Sequence, residues 1–352
     1  LTHPGDALAA TRILIGAGAD PETSAANGET PLGLSMVDDR VELQGCLHWH
    51  GWSLPHRRLR ADDLPVAAAS GDLDAVDKLL QLGFAVDTVD AKGASALIHA
   101  CGHGHADLAA HLLDAGAEIG QRAPSGITPL AAAAAAQHID LIELLLRHGA
   151  AVDQRLPGDS TALMLACALG HASAAGALAD AGADIDAVDA RGRTALHAAA
   201  QFCFGSRDSL RGSRVLGELL SRRCNTNRID DKGFSPLLLL LGAHQRPGVS
   251  CDPTHLGALL PALLDAGADH AHADQRGVTA LHACAMHALL APARVLLSRG
   301  ADRAAADAFG RTAADVARQL GYVDIAHELA VRSSAIIPSV RQTLRQPAQP
   351  AE

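Results

Sequence analysis

The chain has 352 residues, with 29 Lys and Arg against 39 Asp and Glu, a formal net charge of −10, and a composition that is 48% hydrophobic but only 2% aromatic. The acidic balance argues against a nucleic-acid binder, whose phosphate contacts need a basic surface. No apolar run approaches the roughly 18–20 residues that cross a bilayer, and so few aromatics do not suit the two or three large-cored domains that the length alone would suggest.

In chain order, Asp6–Asp20 (DALAATRILIGAGAD) reads as a helix closed by a turn, the second half of a unit whose first helix is missing. With Leu1 in place of Met, this predicts a partial unit over 1–29 in a piece of a longer protein. Thr30-Pro31-Leu32 then opens a series, followed by the degenerate Asp62-Asp63-Leu64. Ser95-Ala96-Leu97, Thr128-Pro129-Leu130, Thr161-Ala162-Leu163 and Thr194-Ala195-Leu196 continue it, and Ser235-Pro236-Leu237, Thr279-Ala280-Leu281 and Thr312-Ala313-Ala314 complete it. The steps are 32, 33, 33, 33 and 33, then 41 and 44, then 33 again. Gly recurs 21 residues after the signal at Gly51, Gly83, Gly116, Gly149, Gly182 and Gly300, and two before it at Gly28, Gly93, Gly126, Gly192, Gly233, Gly277 and Gly310.

Each unit reads the same way. Asp189 and Gly192 supply turn chemistry, Thr194 caps a first helix rich in Ala, and a branched second helix such as Ile142–Leu146 ends at Gly149, where a left-handed residue terminates the helix. A period of 33 with a T-P-L-H-x-A-like core resembles the ankyrin-repeat family over nearly the whole chain. The resemblance implies an all-α solenoid of helix–turn–helix units with short β-turn fingers. Nine units are expected over 30–332, the last a polar cap, with a flexible tail over 333–352.

The long steps place extra residues in Gln201–Arg214 and Gly242–His255, expected as loops between the two helices of adjacent units, on the edge opposite the fingers. Insertions of this kind map to one face, often a binding face. A second break holds Trp49, Trp52, Arg57 and Arg58, a basic-aromatic patch suited to an acidic partner or a lipid headgroup; the plainer reading is that the tryptophans fill space beside the degenerate unit.

Ankyrin-family proteins bind other proteins through finger tips and the concave side of helix one, and the resemblance implies the same here. Mapping those positions gives Arg191, Arg193, Gln201, Phe202, Lys232, Phe234, Arg276, Met286, His287, Phe309 and Arg311, to which the first insertion adds Phe204. Arg and aromatics are enriched in binding hot spots, so these residues predict a cationic, aromatic finger edge. No GxSxG, HExxH, GxxxxGKS or CxxC motif occurs, so neither catalysis nor a cofactor is expected. The pairs His99/His103, His48/His50 beside Cys46, and His270/His272 near Asp274 do not supply four ligands at zinc-site spacing, so no metal is expected. The seven cysteines read as free thiols of a reducing compartment.

The expected function is therefore a non-catalytic protein-binding scaffold, cytoplasmic and monomeric as this segment, with no nucleic-acid partner and membrane contact only through residues beyond it. Two alternatives stand beside it. One is a small-ligand or lipid-headgroup sensor domain of a larger bacterial protein, the bacterial origin being suggested by the Ala-, Arg-, Leu- and Gly-heavy composition. The other is an immunity- or chaperone-like inhibitor of a toxin or enzyme.

Overall fold

The computed structural model describes residues 4–21, 23, 31, 47, 59–206 and 208–330. The Trp49, Trp52, Arg57 and Arg58 patch and the expected tail over 333–352 lie outside the described residues. Helix α1 (Pro4–Gly16) comes first, followed by antiparallel pairs. These are α2 (Asp63–Ser70) with α3 (Leu73–Gln81), α4 (Ala96–His103) with α5 (Ala106–Asp114), α6 (Pro129–Ala136) with α7 (Ile139–Arg147), and α8 (Ala162–Ala168) with α9 (Ala172–Asp180). Then come α10 (Ala195–Gly205) with α11 (Ser209–Ser221), α12 (Pro236–Leu240) with α13 (Pro253–Asp265), α14 (Ala280–Met286) with α15 (Leu290–Ser298), and α16 (Ala313–Gln319) with α17 (Val323–Leu329). Among the described residues, β-pairing is limited to isolated finger bridges, Val89–Ser95, Ala273–Thr279 and Ala306–Thr312. No helix described is long and apolar enough to cross a membrane.

While α2 starts at Asp62 without a side-chain cap, the recurring Thr or Ser is the N-cap of each first helix from α4 on. Its hydroxyl accepts the N–H three residues on, from Ile98 at Ser95, Ala131 at Thr128, Met164 at Thr161 and Leu238 at Ser235. Where the fourth motif residue is His, the ring joins the cap. His197 Nδ1 accepts the Thr194 N–H at 3.1 Å, and its Nε2 donates to the Phe234 carbonyl of the next finger at 3.1 Å. His282 repeats this with Thr279 and the Arg311 carbonyl. One imidazole thus closes a helix end and ties two units together.

Second helices carry the larger apolar residues on one side. In α7, Leu141, Ile142 and Leu145 are fully buried while Glu143 faces out. Burying each such side chain is worth about 1.5–3 kcal/mol. First helices present Ala100, Ala133, Ala134 and Ala199, also fully buried, which lets neighbouring units approach closely. The result is one continuous core from Ile15 to Leu329 with no central hub.

The first insertion is not a loop. Residues 201–205 extend α10 and 209–214 begin α11, leaving 206–208 between them. The cause is a cap: Asp208 accepts the Arg211 N–H at 3.0 Å, so α11 starts early and runs 13 residues. The regular second helices, which begin after His105, His138 and His171 without a side-chain cap, run nine. Asp252 caps α13 in the same way, but residues 242–252 stay non-helical.

Candidate partner-binding groove

The fingers before the first helices share a device. In five of them an Asp stands five residues before the Thr or Ser signal: Asp90, Asp189, Asp230, Asp274 and Asp307. One carboxylate oxygen of each accepts the N–H groups two and four residues on, at 2.8–2.9 Å, and so holds the turn. In three fingers the same Asp also binds the finger arginine: Arg193 to Asp189 at 2.7 Å, Arg276 to Asp274 at 2.8 Å and Arg311 to Asp307 at 2.7 Å. Burial pushes the Asp189 carboxyl up, but the backbone N–H and guanidinium of Arg193 and the Arg191 N–H outweigh it and hold the group below the usual carboxylate range. Asp307 is held low in the same way, against its burial, by the Arg311 guanidinium, the Arg311 N–H and the Phe309 N–H. The expected cationic edge is therefore largely neutralised. These arginines brace their own fingers, with Arg276 also stacked over Phe234 at 5.7 Å and Arg311 over Phe309 at 5.0 Å.

The second insertion does not leave on the edge opposite the fingers. It turns back over the helix-one face toward them. Gly242, at φ +78°, redirects the chain after α12, and a side chain there would meet the Phe204 ring at 2.3 Å. Three bonds pin the returning segment: Arg276 Nη2 donates to the Ala243 carbonyl at 2.7 Å, His287 Nε2 to the Gly242 carbonyl at 3.0 Å, and the Gly248 N–H to the Met286 carbonyl at 3.0 Å. The turn His244–Pro247 thereby walls a groove of about 420 Å³. Arg276, Phe309 and Arg311 form its finger side, and Met286, Val316 and Leu320 belong to its helix-one floor. Phe309 is 77% exposed. Burial and the nearby His287 lower the pKa of His244, which sits edge-on to Phe204 and Phe234 at the groove wall. Gln201 Nε2 lies 3.5 Å from His244 Nε2 and lines a smaller recess of about 180 Å³ with Arg193, Met164 and Leu165.

The structure brings together Arg276, Met286, Phe309 and Arg311, and places Arg193 and Gln201 next door. Arg191 and Lys232 are exposed on their fingers outside both recesses. Four expected contact residues turn inward instead. Phe204 is 3% exposed because its ring covers Gly242 and meets His287 edge-on at 5.1 Å. Phe234 is 8% exposed, held between Arg276 and His244. His287 is buried by its bond to Gly242, and half-buried Phe202 lies over Gly170 with Arg211 stacked on it at 5.5 Å. Met286 reaches the groove, but the insertion covers all save 9% of it. Sequence reasoning missed His244, Arg246 and Pro247, which no repeat position marks. Of the finger aspartates it reads only Asp189 as a turn residue, although the fifth residue before the signals at 95, 235, 279 and 312 finds the other four.

Among the described residues no group of three His, Cys, Asp or Glu could hold a metal ion. His99 pairs with Asp90 at 2.9 Å, while His270 and His272 donate to the Arg299 and Gly233 carbonyls. The six described cysteines are free thiols, and burial pushes the Cys101 thiol up to about 12. A family model of ankyrin repeats, built as three copies, matches residues 64–156 and 152–230. No curated protein matches the sequence. The capped helix pairs, the fingers and this match agree: residues 64–230 are ankyrin repeats, and the helix pairs that follow them continue the same repeat solenoid.

Proposed function

We propose that this chain is a non-catalytic interaction domain that receives a partner protein in the groove beneath the 242–255 insertion. Ankyrin repeats mediate protein–protein interaction and are as a rule non-catalytic. The observation that carries the finer reading is the groove itself, where an inserted turn walls a recess that already holds Arg276, Met286, Phe309 and Arg311. An exposed Phe beside a braced guanidinium on a rigid finger has the character of a binding hot spot. Affinity capture from native lysate, comparing the wild type with Phe309→Asp, tests this. One stoichiometric protein held by the wild type and lost by the variant supports the groove; a protein held equally by both places binding elsewhere.

One observation favours the sensor reading as a second. The groove volume of about 420 Å³ falls in the range of small-ligand sites, roughly 300–1,000 Å³. Capture of no protein, together with a melting shift produced by a small-molecule extract and abolished by Phe309→Asp, would select it.

A further inference from the structure

The groove also carries information about the chemistry of what enters it. Three guanidinium groups line it, from Arg246, Arg276 and Arg311, against one carboxylate, Asp307. Asp307 is spent: one oxygen accepts the Phe309 and Arg311 N–H groups, and the other accepts Arg311 Nε and Nη2 at 2.9 and 2.7 Å. Asp274 is spent in the same way on Arg276, Val278 and the Arg276 guanidinium at 3.0 and 2.8 Å. Pairing Arg276 with Asp274 and Arg311 with Asp307 leaves the charge of Arg246, which is exposed and makes no ion pair among the described residues. Arg276 Nη1, likewise without a hydrogen bond among them, adds unused donors. The floor between these groups is apolar, with Val278, Met286, Val316 and Leu320 below the open Phe309 ring.

Such a site offers N–H donors and one surplus positive charge over an apolar floor, and no carboxylate for an ammonium group. We infer that the partner presents an extended acidic-apolar segment, a Leu-, Ile-, Met- or Phe-type side chain on the floor with an Asp or Glu carboxylate against Arg246 and Arg276. This rests on the protein-binding reading above. The chain's own residues beyond Ala330 are the wrong occupant on charge, since they carry Arg332, Arg341 and Arg345 against Glu352 alone. Long-range attraction brings the segment in and apolar burial holds it.

The test is selection of short random peptides displayed on phage against the full chain, with counter-selection on Arg246→Glu/Phe309→Ala. Both replaced side chains are exposed, so the variant keeps its fold. The expected survivors place Asp or Glu within two or three residues of a large apolar side chain. A synthetic survivor should lose affinity by about tenfold or more on Arg246→Glu alone, retain most of it on Arg246→Lys, and weaken with added salt. Survivors that are basic, or that bind Arg246→Glu undiminished, overturn the acidic-segment assignment while leaving the groove a protein-binding site. A selection that yields binders of the wild type only when the counter-selection is left out, all of them binding the double variant equally well, overturns both readings.

Discussion

The units from Ser95 to Gly182 and those from Thr194 to Leu320 share one backbone plan and differ in what rests on the helix-one face. In the regular units an imidazole from the next unit sits over the glycine that closes a first helix: His105 over Gly71, His138 over Gly104. His105 Nε2 and His171 Nε2 also donate to the Ala69 and Ala135 carbonyls of the preceding unit. The face then offers an open hollow lined by Ala132, Ala135 and Ala136 with Ile98, His103 and Ile127 around them, and no insertion covers it. In the elaborated units Phe202 and Phe204 take the seat over Gly170 and Gly242, and the second insertion returns across the face. Depth in this solenoid is therefore supplied by a neighbour's insertion. The repeat alone makes a flat surface, because the close approach of its helices requires alanine.

The largest effect that separates the two regions is expected from a pair of glycines. Gly242→Ala must accommodate both φ +78° and the Phe204 ring, whereas Gly116, at φ +88°, has nothing within 4 Å of a new side chain. The left-handed backbone alone costs roughly 1–2 kcal/mol, and overpacking adds about 1–3 kcal/mol. Denaturant midpoints should drop for both variants, and about twice as far for Gly242→Ala. Equal losses would mean that the Phe204 seat is not what fixes the inserted turn.

Next in size is the finger brace. Asp307→Ala removes an acceptor that serves two backbone N–H groups and a guanidinium, for a loss of about 2–4 kcal/mol. The regular fingers at 123 and 156 hold Ala and Leu at this position and have nothing to lose there, while the Asp90 finger keeps the two backbone bonds with His99 in place of an arginine. The sign in pH follows from the lowered carboxyls of Asp189 and Asp307. Their contribution is complete above the unfolded carboxylate value and is lost as pH falls through the lower folded one. Thermal melts of Asp307→Ala and wild type should therefore converge in strong acid; a gap that stays constant there would place the stabilisation outside the carboxylate.

Histidine gives a smaller and broader contrast. Burial, acting first and most, lowers the pKa of His197, His244, His255 and His287 in the elaborated region, against His171 alone in the regular one. Each folded ring binds its proton less readily than the unfolded ring with a value of 6.5. Stability is thus fully present above that value and drains as pH falls through it toward the folded one. Hydrogen exchange, corrected for intrinsic rates, should show protection falling first in α10–α14 on going from about pH 7 to about pH 5. Uniform loss across the stack would remove the contrast.

The signals that sequence reasoning caught are local ones. Thr161 predicts a cap because the hydroxyl and the N–H it serves are three residues apart, and Gly149 predicts a helix end for the same kind of reason. The signals it missed depend on distant partners. Met286 and His287 hold register positions that face outward in regular units, and they are buried here because residues 242–248 of the preceding unit fold over them. Phe204 falls within the insertion expected as a loop, but Asp208 caps a helix that leaves only three residues for one. The arginine edge reads as charge only while each of Arg193, Arg276 and Arg311 is taken without the Asp two or four residues before it, a pairing local enough to be legible in the sequence. The sequence marks Arg276, Met286, Phe309, Arg311 and the 242–255 insertion one by one, but not that they enclose a single groove, since its wall and its floor come from three different units.

The smallest effect on stability is expected where the effect on binding is greatest. Phe309 is the most exposed aromatic side chain described, and its one ring contact is the Arg311 guanidinium at 5.0 Å. Arg311 keeps its bidentate hold on Asp307 and its bond to Gln319 without the ring. Phe309→Ala should therefore leave the unfolding midpoint within about 0.5 kcal/mol of wild type while removing apolar area from the mouth of the groove, for a loss of about 2 kcal/mol or more in partner affinity if the ring is a hot spot. A stability loss comparable to that of Asp307→Ala would show that Phe309 belongs to the fold. The finger edge would then serve the stack alone, and the difference between the two regions would be one of architecture without a binding role.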